Sequence, residues 1–435
     1  MKRTTFPAAL KRAKLQTALA LALLAPAAAF AQHFEAVDNI PWPTLGRFPA
    51  YPAEPPRPTE IYVRAGALRD NNIFRFADGV NRRALLGNSD DPSDEVLRVG
   101  AGIRHEFLVT GRQRLRLEAS GDQYSYHRNT LLNHVNYGLR GEWLWEFTND
   151  LSGTLGYERR HRLADLAQLQ RPVKDMITED HAFVNGAYRL GPSIRLRGAL
   201  DGVKGSRSDS AFASADTRAV TVLGGVDYVT TLGNAFGVEV RNTEGNYPTA
   251  QILGGTTVVD NDFTEREVAA VTTIVAGPQI TGTARLGHTT RTHKQFPERN
   301  FSGTTWRGTL LWTPLQKTGF EFSFYHEPRS IIDIAATSVV VNGASFGPRW
   351  APTEKLVLYA LVVRERQQFQ GDASQIVLGT QQQDEIVRTT RFGVGWEPRR
   401  FIELSAAIDH GNRVSNVFLR DYTYTAVMAN AQFKF

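Results

Sequence analysis

The chain ends in Tyr422-Thr-Tyr-Thr-Ala-Val-Met-Ala-Asn-Ala-Gln-Phe-Lys-Phe435, a stretch that alternates in residue type and stops on an aromatic. Read as a strand, it places Phe433, Ala431, Ala429, Val427 and Thr425 on one face and Lys434, Gln432, Asn430 and Met428 on the other. One face suits hydrocarbon and the other suits water. This is the pattern of the last strand of a transmembrane β-barrel, with Phe435 as the expected signal to the barrel-assembly machinery.

The other end carries an export signal. Lys2, Arg3, Lys11, Arg12 and Lys14 precede an apolar run from Ala18 to Leu24, and Ala29-Phe30-Ala31 offers a small-x-small cleavage site. Residues 1–31 are therefore expected to be a signal peptide, with an apolar core too short to anchor the chain in a bilayer. Removing them takes the formal charge from +6 to +1, because all five cations before Gln32 leave and no acids do. The compositional case for a nucleic-acid partner leaves with them. With no cysteine, disulfides and thiolate metal sites are excluded, and no cofactor or metal is expected.

No run reaches the 18 or so apolar residues of a membrane helix, so a closed barrel remains the only way to span a bilayer. Alternating segments do tile the mature chain. Short turns are expected at Thr110–Arg112, Thr148–Asp150, Gly191–Ser193, Thr231–Asn234, Ala276–Pro278, Thr313–Leu315, Ala351–Thr353 and Glu397–Arg399, where Gly, Pro, Asn and Asp supply turn chemistry. They recur about every 40 residues, enough for two strands of roughly ten residues and one long loop. With a first strand near Ile61 and a last one ending at Phe435, the chain reads as all-β: an antiparallel up-and-down barrel of about 18 strands over residues 60–435, embedded in outer-membrane lipid. Trp143, Trp145, Trp306, Trp312, Trp350 and Trp396 are expected toward the short-turn ends, as an aromatic girdle.

Residues 32–59 form a Pro-rich segment, including Pro41-Trp-Pro43 and Pro55-Pro56-Arg-Pro58, that favours an extended backbone and reads as a linker or a lumenal plug. Opposite the apolar faces, alternation lists the lumen-facing candidates. They are Arg64, Arg98, Arg104, Glu106, Arg116, Glu118, Asp122, Tyr124, Tyr126, Arg140, Glu142, Arg195, Arg197, Glu239 and Arg241. Such a lining either binds hydroxyl-rich solutes along an aqueous pathway or braces the wall as a charge network. Asp70, Asn71 and Asn72 are candidates at the pathway mouth, where they would hold sugar or a cation, or start a turn. The phase of Ser338–Val341 and Lys355–Val363 is not readable, because both runs are nearly continuously apolar. There is no Gly-x-Ser-x-Gly, His-Glu-x-x-His or P-loop motif, and an enzyme is not expected.

The segment Arg69-Asp-Asn-Asn-Ile-Phe-Arg75, followed in order by Arg98-Val-Gly-Ala-Gly102, Gly111-Arg-Gln-Arg-Leu115, Trp143-Leu-Trp145 and Gly153-Thr-Leu-Gly-Tyr157, resembles the EpsL-type outer-membrane barrels that accompany exopolysaccharide operons and exosortase systems. The resemblance implies a barrel through which a newly made polysaccharide leaves the cell, with periplasmic export proteins as partners. Other readings of the same barrel are a general or sugar-selective diffusion porin and a non-conducting barrel that anchors a secretion assembly.

Overall fold

The computed structural model describes residues 58–87, 89–253, 257–329, 338–370 and 383–435. The expected signal peptide, and the Pro-rich segment up to Arg57, lie outside the described residues. From Thr59 onward most of the described residues lie in strands. These are β1 (Thr59–Asp70), β2 (Asp94–Thr110), β3 (Gln113–Tyr126), β4 (His134–Glu146), β5 (Leu151–Leu163), β6 (Met176–Leu190), β7 (Ile194–Arg207), β8 (Thr217–Val229) and β9 (Ala235–Asn246). After a small loop hairpin, β10 (Gln251–Leu253) and β11 (Thr257–Val259), come β12 (Phe263–Ala276), β13 (Ile280–His293), β14 (Phe301–Leu315), β15 (Thr318–Arg329), β16 (Ser338–Thr353), β17 (Leu356–Gln370), β18 (Asp384–Arg399), β19 (Ile402–Ser415) and β20 (Tyr422–Lys434).

All but β10 and β11 join one antiparallel sheet of 18 strands, and β1 closes it by pairing with both β2 and β20. Closure satisfies every strand edge, which an open sheet in lipid cannot do. At this strand number the barrel is about 35 Å across between opposing backbones. The alternation holds around the circumference. Leu97, Val99, Val222, Val238, Val240 and Phe392 lie exposed on the outside, while their sequence neighbours Arg98, Leu223, Glu239 and Arg241 are buried on the inside. The outside is thus a hydrocarbon-facing band that the chain covers with lipid instead of protein.

The short turns fall where glycine and Asx chemistry puts them in the first five hairpins, with Gly191, Gly233 and Gly277 in the left-handed region at φ 72°, 87° and 65°. In the last three, the turns come after the expected segments: at Gln316–Lys317, Glu354–Lys355 and Arg400–Phe401. The reason is a repeated Trp-x-Pro, at Trp312–Pro314, Trp350–Pro352 and Trp396–Pro398. Each proline lacks an N–H, so the ladder slips by a bulge between Trp312 and Leu315, Trp350 and Thr353, and Trp396 and Arg399, and then resumes. The intervening residues Thr313, Ala351 and Glu397 donate their N–H groups to the carbonyls of Gln279, Lys317 and Lys355 at 2.7, 2.7 and 2.8 Å, tying each hairpin to the one before it. Trp306 corrects the expected girdle. It sits within β14, paired with Leu286 and His326, nearer the long-loop end than the short-turn end.

The apolar core is inside the barrel. The first loop, 71–93, turns inward directly after β1 and buries Phe74 and Phe76 completely. The third loop, 164–175, adds Leu166 on a one-turn helix (Leu166–Leu169). Together they pack on Leu68 of β1, Val96 of β2, Tyr124 and Tyr126 of β3, Leu163 of β5, Met176 of β6, Ala407 of β19 and Met428 of β20. The core therefore fills one sector of the lumen. A second, smaller core joins Val339 and Val341 of β16 to Phe369 of β17 and Tyr325 of β15, which settles the phase of the first apolar run: its odd-numbered valines face inward.

Candidate functional site: the barrel lumen

Registered cross-strand pairs share a face, so the interior can be read rung by rung. Every lumen-facing candidate from the alternation lies on the inner face. On the β1–β5 sector, Arg64 donates through Nε to Asp122 at 2.6 Å, and Arg98 reaches both Asp122, at 3.9 Å, and the Asn430 amide oxygen. Below them Arg104 donates to Glu118 at 3.1 Å and Arg116 to Glu106 at 2.6 Å. Arg140 bonds Glu142 at 2.6 Å and lies 3.6 Å from Glu158. Tyr124 stacks on His134 with ring centroids 4.8 Å apart, and Tyr126 is buried in the lumenal core beside it.

On the opposite wall the candidates Arg195, Arg197, Glu239 and Arg241 belong to a longer structure. Asp227 accepts from Arg195 at 2.6 Å and from Arg197 at 2.7 Å; Arg197 continues to Glu239 at 3.1 Å, and Arg285 bridges Glu239 at 3.0 Å to Glu267. Glu267 also accepts from Arg241 and from the Thr305 hydroxyl at 3.1 Å, and one rung higher Arg291 pairs with Glu265 at 2.6 Å. The result is a spine of alternating guanidinium and carboxylate. It climbs obliquely across β7, β8, β9, β12 and β13, from the short-turn end toward the loops. A second network links Arg307, Glu327, Arg329 and Glu365, with the Tyr325 ring between Arg307 at 5.0 Å and Arg329 at 4.6 Å. Gly343 makes that sandwich possible, because a Cβ there would lie 2.2 Å from the tyrosine ring.

Glu265, Glu267, Arg285, Arg291, Arg307, Glu327 and Glu365 are absent from the alternation list. In Thr264-Glu-Arg-Glu267 charge falls on consecutive residues, so either phase looks polar. The readable signal lies one strand on, where outward Leu286 and Trp306 fix the parity of Arg285 and Arg307.

The Asp70–Asn72 segment forms the base of the inward loop. Asp70 is buried, pairs with Arg75 at 2.8 Å and accepts from the Asn72 N–H at 2.8 Å. The Asn72 amide donates to the carbonyls of Phe76 and Thr423, at 2.9 and 3.1 Å, and Asn71 accepts from the Thr425 N–H at 2.8 Å. Arg75 lies 3.6 Å above the Tyr424 ring, and its carbonyl accepts from Gln170 of the third loop at 2.6 Å. These side chains fix the loop across the lumen. At the surface, Asp91 ties the first loop to Arg128 of the second; hydrogen bonds from Ser93 and Arg128 hold its carboxyl down at about 2.

Residues 219–435 match the family described as Putative beta-barrel porin 2. The closed 18-stranded wall and its apolar exterior fit that description. The protein is a β-barrel of the Gram-negative outer membrane, porin-like over its C-terminal part. Similar solved structures include the outer membrane protein OpdK of Pseudomonas aeruginosa, at 10% identity over 87% of this chain and 99% of that one, with a TM-score of 0.47. A BenF-like porin from Pseudomonas fluorescens Pf-5, at 8% identity over 87% and 98%, also scores 0.47. OccAB3 of Acinetobacter baumannii, at 7% identity over 87% and 99%, scores 0.46. No curated protein matches the chain.

Proposed function

We propose that this barrel is a passive conduit for hydroxyl-rich solutes and that its cargo is an extracellular polysaccharide on its way out of the cell. The observation that carries the reading is the pairing of the lumenal charges. Arg195, Arg197, Arg285, Arg241 and Arg291 alternate with Asp227, Glu239, Glu267 and Glu265, so the wall presents dense donors and acceptors with little net field. A channel built to select ions would keep one sign unpaired. A compensated wall instead offers hydrogen bonds that sugar hydroxyls exchange one for another, and Tyr325 adds a ring face of the kind pyranose rings stack on. The resemblance to the EpsL-type barrels supports the polymer as cargo; the porin family matched by residues 219–435 supports a diffusion porin equally well.

Single-channel recording of the refolded mature protein in planar bilayers separates these. A conduit for neutral solutes gives a cation-to-anion permeability ratio near one, and oligosaccharides block it. Block that deepens with oligosaccharide length supports the polymer, whereas saturation at mono- and disaccharides supports a sugar porin. Strong selectivity for one sign of ion, or no conductance at all, would refute the proposal.

A further inference from the structure

The lumen is compensated, but the lipid-facing wall is not everywhere: Lys204 opposes Arg218 on a rung that Asp180 continues, whereas a second like-charged pair has no acid among the described residues on its rung. Arg364 of β17 and Arg388 of β18 are directly opposed in the ladder, and both point outward and are exposed. Like charges facing each other across a strand pair destabilise a sheet. The rung continues through Ala344 on one side and Asn412 on the other, so among the described residues no carboxylate lies beside either guanidinium on it. Among the described residues, the nearest acid on this face, Asp384, is already held by Arg366 through Nε at 3.0 Å.

Height selects the counterion. Arg388 stands eight residues above Trp396 of the short-turn girdle, and Arg364 eight above Leu356, which pairs with that tryptophan. On a tilted strand that is about 20 Å, against an apolar band about 25 Å tall, which puts both guanidinium groups where the outer leaflet's hydrocarbon meets its headgroups. Directly below them Val362 and Phe392 are exposed to lipid. A site with two free cations above and an open apolar surface beneath matches an amphiphile with a phosphate head and acyl tails. We infer that Arg364 and Arg388 clamp the phosphate of an outer-leaflet phosphorylated glycolipid, whose acyl chains lie along β17 and β18.

The test uses the refolded mature barrel in neutral detergent micelles, titrated with diphosphoryl lipid A, with its dephosphorylated form and with inorganic phosphate, and read by native mass spectrometry and thermal unfolding. Diphosphoryl lipid A is expected to bind and raise the melting temperature in a salt-sensitive way, while the dephosphorylated lipid does so weakly. The double variant Arg364→Gln, Arg388→Gln is expected to bind about thirtyfold more weakly. Without lipid it should melt no lower than the parent, because the substitution removes a repulsion; this separates loss of a site from loss of the fold. Undiminished binding by the double variant would overturn the inference, as would equal binding of the dephosphorylated lipid. Stabilisation by inorganic phosphate equal to that by the lipid would also overturn it, since the site would then be for a free anion. If the glutamine variant does not refold, Arg364→Lys with Arg388→Lys keeps the charges and must retain binding to within a few-fold.

Discussion

Asp227 carries more of the wall than any other single carboxylate at the short-turn end, because Arg195 and Arg197 both converge on it and it is only 2% exposed. Asp227→Asn would strand Arg195 and leave Arg197 to Glu239 alone, and the expected loss is about 3 kcal/mol, visible as a lower urea midpoint for the refolded barrel. The same variant leaves net positive charge beside the pathway, so its permeability ratio should move toward anions. An unchanged ratio would mean that the spine does not border the conducting path. The residue-level pattern also marks how far the sequence could be read. Alternation places Arg195, Arg197, Glu239 and Arg241 inside without a structure, since each shares a phase with neighbours opposite a plain apolar face. It falls silent on Glu265 and Glu267, where the outward neighbour Arg266 is itself charged.

At the level of elements, strand number and closure were legible because each hairpin repeats one physical constraint, a two-residue period between lipid and water. What was not legible was the fate of the loops, whose residues obey no period. Phe74 and Phe76 look like unremarkable loop aromatics until Asn72 folds them across the lumen. Replacing both by Ala removes the centre of the lumenal core, with an expected cost of several kcal/mol borne by the loop alone. The barrel should still migrate as a heat-modifiable band, and conductance should rise and become noisier. The surface tether of this loop resists acid. A carboxyl depressed to about 2 contributes stability above its ordinary value near 4 and loses it only as pH falls through its folded value, so the Asp91 link should hold throughout pH 4–7. Conductance that changed steeply within that window would trace to another part of the lumen. The late turns teach a related lesson: Pro314, Pro352 and Pro398 read as turn formers, yet each sits in a bulge within its strand, because at a barrel rim a missing N–H can be accommodated by slippage.

For the whole molecule, the seam between β1 and β20 decides assembly. Phe435 exchanges backbone hydrogen bonds with Ile61, its N–H reaching the Ile61 carbonyl at 2.7 Å, so the last residue is also the last stitch. Phe435→Asp is expected to slow membrane assembly severalfold in a time-resolved heat-modifiability assay, and parental rates would argue against a role in recognition. Deleting residues 33–58 removes none of the 18 strands that close the described barrel and should leave folding intact; a larger conductance in that variant would identify the segment as an obstruction. The inward first loop adds a constraint on the order of events. Asn72 bonds the backbone at Thr423, 351 residues later, and Phe74 shares a core with Met428. Contacts so distant along the chain are the slowest to form. The loop's contacts with Leu68, Val96 and Tyr124 are therefore expected to form before those with Ala407 and Met428, so the lumenal core is completed only when β20 closes the barrel. A chain clipped before Tyr422 would then fail twice over, leaving an unzipped edge in the membrane and a leak through its middle.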